Sequence, residues 1–286
     1  MILKKIALLF LPACCAMQAP AQSRQPTAAP SHQWKLVWAD EFNYTGLPDS
    51  SRWDYETGFV RNHEEQYYTY RRAENARVEN GCLVIEGRHE KYPNASYEAG
   101  STNWQRAADS AAYTSACLVT KGIAAWKYGR IEVRAKIPQG LGVWPAIWML
   151  GDNEPTVGWP KCGEIDIMEF VGHDSSRIYG TIHYADPENG QHKSKGEHVE
   201  TSRPYDGFHV YAIEWDESKI NIYFDQQLYN SFDTDAAGKG TDNPFRKPQY
   251  LLLNLALGGA WGGKIDNSVL PQSFLIDYVR VYEQKH

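Results

Sequence analysis

The chain has 286 residues, enough for one large domain with a substantial core. Its net charge of -6 comes without any basic block, which removes the electrostatic footprint that nucleic acid requires. Ten Trp and 18 Tyr stand against 9 Phe, so flat rings with polar edges are abundant; these suit sugar rings and protein cores alike.

Residues 1–21 read as an export signal. Lys4 and Lys5 precede the run IALLFL, which is too short to span a bilayer. Leu11 to Cys14 (LPAC) resembles a bacterial lipobox, in which Cys14 is lipidated and becomes the new N-terminus. Cleavage then falls before Cys14, and the expectation is a lipoprotein tethered at the cell surface, touching membrane only through its lipid. The alternative is a cut after Ala21, giving a periplasmic or secreted protein. Either cut removes both lysines and no acid, taking the charge from -6 to -8. Residues 22–32 form a flexible spacer, and residues 33–286 are expected to be one domain, monomeric, without a Ser/Pro-rich linker or a repeat.

Strand signals dominate that domain. ARVEN-GCLVIEG places an Asn80-Gly81 turn between two strands, as a hairpin needs. RIEVRAKI alternates, with Ile131, Val133, Ala135 and Ile137 on one face and Arg130, Glu132, Arg134 and Lys136 on the other. HVYAIEW, KINIYFD and QLYNSFD follow one another across short polar turns as an antiparallel meander, and YLLLNLAL is apolar on both faces, as a covered central strand is. These features predict an all-β sandwich of two antiparallel sheets. Cys82, Cys117 and Cys162 lack the spacing of a zinc site, and one bridge between two of them is compatible with export.

GEIDIMEF carries Glu164, Asp166 and Glu169 in an otherwise apolar strand. Strict alternation would send Glu169 to the face opposite the other two. A β-bulge at Ile167-Met168 returns it to their side. The two glutamates then lie about 13 Å apart at Cα, and side chains leaning together bring their carboxyls to roughly 5 to 7 Å. That range spans the separations of retaining and inverting glycosidases. Three carboxyls so close cannot all ionise, so one keeps a proton near neutrality. An acidic strand of this kind taken alone is more often the solvated face of a sheet.

The surroundings are more specific. YGRIEVRAKIPQGLGVWPAIWMLG, GWPKCGEIDIMEFVG and GTIHY occur in order, flanked by RNHEEQYYT, FHVYAIEW, LALGGAWGG and IDYVRVYE. The chain thereby resembles glycoside hydrolase family 16, in its laminarinase-like and licheninase-like bacterial members, over nearly all of residues 33–286. The resemblance implies a β-jelly-roll with a concave cleft and retaining endo-hydrolysis of β-1,3-glucan or mixed-linkage β-1,3/1,4-glucan. It implies Glu164 as nucleophile, Glu169 as acid and then base, and Asp166 between them. Trp144 and Trp148, four apart on a strand, become a stacking platform on the non-reducing side, and His183 a hydrogen-bonding partner near the catalytic centre. Asn62 matches a sugar-binding Asn, although Arg61 and Glu65 replace residues usually small and apolar there. Trp159 and Trp261 become cleft walls. No cofactor is implied for catalysis, but many relatives hold a structural calcium, for which Glu41, Gly81 and Asp277 fall at matching places. Other uses of this scaffold are a non-catalytic surface glycan-binding protein and a transglycosylase. Agarase-like or carrageenase-like specificity is disfavoured by the WPAIWMLG segment and the lack of a basic patch.

Overall fold

The computed structural model describes residues 34–285. The export signal, Cys14 and the spacer lie outside them. Two sheets face each other. One runs, in spatial order, through His192–Glu200, Arg177–Ala185, Glu164–Glu169, Val143–Gly151, Gln249–Leu257, Cys117–Val119 and Asp54–Glu56. Every neighbouring pair in it is antiparallel. The other contains the meander His209–Trp215, Lys219–Phe224 and Gln227–Asp233, and the long C-terminal strand Gln272–Gln284. Its far edge departs from the expected antiparallel pattern, because Gln66–Tyr68 pairs in parallel with Ser110–Ser115.

Alternation decides which residues build the core and which build the site. From Val143–Gly151, Ile147 and Met149 enter the layer between the sheets, whereas Trp144, Ala146, Trp148 and Leu150 point to the outer face. Leu251, Leu253, Leu255 and Leu257 of the neighbouring strand also fill the inter-sheet layer. Tyr250 and Leu252 pack instead with Tyr68, Trp148 and Cys162 on the outer side. This explains the apolar run YLLLNLAL: one face meets the opposing sheet, and the other is the floor of a cleft.

The hairpin forms at Asn80-Gly81, both at positive φ (53° and 76°), which brings Glu79 opposite Cys82. Glycine takes that backbone region without strain. Ile131, Val133, Ala135 and Ile137 are buried as expected. The charged partners on that strand pair across their face, Arg130 with Glu132 and Glu214, and Arg134 with Asp277. No disulfide joins any two of Cys82, Cys117 and Cys162.

Candidate active site

The acidic strand is bulged where its sequence requires it. Against Val143–Gly151 the register passes from Asp166 opposite Trp148 to Met168 opposite Ile147. Ile167 and Met168 are both fully buried in the inter-sheet core, so Glu169 returns to the face of Glu164 and Asp166. A bulge leaves backbone groups outside the ladder. Here the Tyr229 hydroxyl, from the opposing sheet, donates to the Ile167 carbonyl at 2.9 Å. Gly180 admits it: a Cβ there would stand 2.5 Å from that hydroxyl oxygen.

All three acids line a cleft of about 450 Å³ on the outer face, together with Trp144, Trp148, Trp159 and Asn254. His183 Nε2 lies 3.1 Å from Asp166 Oδ2 and 3.9 Å from Glu164 Oε1. Trp144 Nε1 donates to Glu169 Oε1 at 3.0 Å. Burial, reinforced by the Asp166 charge and opposed by His183 and Arg61, pushes the Glu164 carboxyl up to about 8. Burial likewise raises Asp166, against the hydrogen bond it shares with Glu164. Glu169 is held well above the usual carboxylate range by burial and then by the Asp166 charge, with the Trp144 bond opposing. The cluster therefore keeps protons at neutral pH.

The expected tryptophan platform is not open. Trp148 is 6% exposed, its Nε1 donates to Asn254 Oδ1 at 2.7 Å, and the Arg61 guanidinium lies 4.8 Å from its ring centroid. Arg61 is held there by an ion pair to Glu56, which also accepts from the Cys117 thiol. Trp144 is 8% exposed and meets Trp261 edge-on at 5.5 Å. Trp261 also packs on Tyr179, so it buttresses Trp144. Trp159, 49% exposed, is the open aromatic wall of the cleft.

Asn62 lines the cleft, and its Nδ2 donates to Glu64 Oε1 at 3.2 Å. Glu64, which the sequence reading did not single out, also accepts from Gln66 and Tyr68, and burial raises its carboxyl. Tyr68 in turn accepts from Asn254, linking this network to Trp148. The signal for Glu64 and Arg61 lay in RNHEEQYYT; Asn254 and Tyr229 sit in runs legible as strands but not as site residues, and His192 in a segment without a local pattern.

The calcium expectation needs correction. Both Glu41 oxygens are taken by Arg280, at 2.7 and 2.9 Å, and Asp277 Oδ2 pairs with Arg134 at 2.7 Å. Gly81 serves its turn. Carboxylates already neutralised by guanidinium groups do not fit a hard cation as its ligands.

Three carboxyls on one bulged strand, facing an open cleft of a jelly-roll sandwich, define a glycoside hydrolase. The chain belongs to the glycosyl hydrolases family 16, whose model matches residues 63–280. It is 44% identical over 260 residues to a beta-glucanase of Rhodothermus marinus, covering 87% of this chain and 85% of that protein. The laminarinase structure from the same organism superposes with a TM-score of 0.76 at 41% identity, covering 88% of this chain and 98% of that one. A structure from work on endo-acting O-glycanases, which prominent human gut bacteria express to initiate mucin breakdown, superposes with a TM-score of 0.84. Its identity is 40%, over 90% of this chain and 93% of that one.

Proposed function

We propose that this protein is a retaining endo-β-glycosidase that cleaves β-1,3-glucan or mixed-linkage β-1,3/1,4-glucan by double displacement. The carrying observation is the bulge, which sets Glu164, Asp166 and Glu169 on one face of the cleft. In the first step the Glu164 carboxylate attacks the anomeric carbon while Glu169 gives its proton to the departing glycosidic oxygen. In the second, Glu169 takes a proton from water, the water oxygen bonds to the anomeric carbon, and Glu164 leaves as a carboxylate. Asp166, hydrogen-bonded to Glu164, supports that departure. Both steps use only carboxyls, sugar and water, so no cofactor enters. Burial, which raises the Glu169 carboxyl well above the usual range, keeps on it the proton that a general acid needs.

Two observations favour a second reading of the substrate. The backbone agrees better with the O-glycanase structure than with the R. marinus laminarinase, at TM-scores of 0.84 and 0.76. Arg61 also covers the Trp148 face on which a glucan ring would stack. On that reading the same carboxyls cut β-linkages within mucin-type O-glycans. Incubation with laminarin, barley glucan, lichenan, agarose and mucin O-glycans, with mass spectrometry of the fragments, separates the two. Binding without fragments from any of them would instead support a glycan-binding protein. Glu164→Ser is expected to abolish cleavage while retaining binding, and full activity in that variant would refute the assignment.

We further propose export with a lipid anchor at Cys14. Loss of lipid labelling in Cys14→Ala tests it.

A further inference from the structure

His192 belongs to an edge strand that is exposed over most of its length. It lies opposite Ala185 in the register, and His183 lies opposite Ser194, so the two histidines are diagonal neighbours on one face. Their rings stack at 5.1 Å with an interplanar angle of 19°, and His183 Nδ1 is 2.8 Å from His192 Nε2. On its other side His192 meets the Trp159 ring at 4.6 Å.

With Asp166 ionised and His183 neutral, the hydrogens along this chain take one arrangement. His183 Nε2 faces two carboxyls, 3.1 Å from Asp166 and 3.9 Å from Glu164, and an ionised carboxylate only accepts. Facing an ionised Asp166, that nitrogen carries the hydrogen. In neutral imidazole the other nitrogen is then an acceptor, so His183 Nδ1 needs a donor, and His192 Nε2 is the group placed to supply one. We propose that His192 is a positioning residue for the hydrolytic reaction, its Nε2–H holding His183 in the tautomer that carries its hydrogen on Nε2, the nitrogen lying beside the Asp166 and Glu164 carboxyls. The proposal rests on the hydrolase reading of the same cleft.

The alternative tautomer shows what is at stake. With the hydrogen on Nδ1, His183 would turn a lone pair toward Asp166, and only a protonated Asp166 could accept that arrangement. The proton would then be drawn to the middle of the trio, where it no longer serves the leaving group. Water can donate to Nδ1 in place of His192, but it does not fix the ring plane. The charged neighbours are Asp166 and Glu164 facing His183, and Lys193, which is paired with Asp186 beside His192. Burial lowers the His192 pKa, and a proton on His183 would lower it further, so this pair favours a neutral His192.

The test combines histidine-selective ¹⁵N NMR of the substrate-free full chain with kinetics of two variants. In the wild type the His183 ring should show a protonated Nε2 and an Nδ1 that accepts a hydrogen bond; a protonated Nδ1 would overturn the proposal. His192→Phe keeps a ring against Trp159 but removes the donor. It is expected to lower kcat about fivefold, the effect of one modest hydrogen bond, with KM within about twofold and the acid limb of the kcat profile displaced. His192→Gln, whose amide can donate from a similar position, should recover kcat to within about twofold. An unchanged kcat and tautomer in the Phe variant, a change confined to KM, or failure of Gln to recover activity would each overturn it. The NMR readout needs no substrate, so a wrong substrate assignment would leave it standing.

Discussion

Replacing Glu164 by glutamine should make the protein more stable at neutral pH while destroying its catalysis. The carboxyl rises from 4.5 to about 8 on folding because it is buried beside Asp166. The folded state therefore binds a proton that the unfolded state releases, and stability falls as pH climbs from 4.5 toward 8. Each pH unit in that window costs about 1.4 kcal/mol, so the penalty is about 3 kcal/mol at pH 7 and under about 1 kcal/mol at pH 5. A neutral amide of the same shape carries none of it. At about 2 to 4 °C per kcal/mol for a domain near this size, Glu164→Gln should melt roughly 6 to 10 °C higher at pH 7 and within about 3 °C of wild type at pH 5. Calorimetric scans of both proteins at the two pH values measure this. A gain that is the same at both, or a loss at pH 7, would refute the claim that burial penalises the ionised Glu164.

Other variants probe the supports of the trio. Trp144→Phe removes the Nε1–H that favours the ionised Glu169, so the alkaline limb of kcat/KM should move up by about one pH unit; a downward move would contradict the sign. Tyr229→Phe leaves the Ile167 carbonyl of the bulge without its donor and should cost about 1 to 2 kcal/mol in denaturant unfolding, together with a loss in kcat. Arg61→Ala should uncover Trp148 and strengthen binding of neutral glucan oligosaccharides by about threefold in calorimetry, at some cost in stability from the orphaned Glu56.

Much of this was legible in the chain because strand alternation is a local rule. RIEVRAKI and the three-run meander fold as their patterns imply, and GEIDIMEF could keep its acids together only by a bulge. The readings that failed depended on partners distant in sequence. Trp144 and Trp148 do share a face, but whether a ring is open to a sugar depends on Arg61, more than eighty residues away, and on Trp261 behind. Glu41 and Asp277 looked like oxygen ligands until Arg280 and Arg134 were placed beside them. Tyr229 and His192 support the site from the opposing sheet and from an edge strand, and no spacing rule connects them to Glu164.

The covalent step is the most direct test of the mechanism. A 2-deoxy-2-fluoro glycoside with an activated leaving group, built on whichever glycan the enzyme is found to cut, slows both steps and lets the glycosyl-enzyme accumulate. Peptic digestion and mass spectrometry should then find the sugar esterified to Glu164, and turnover of the natural glycan should release products of retained β-configuration. A label on Glu169 or elsewhere, or inverted products with no label at all, would contradict the account.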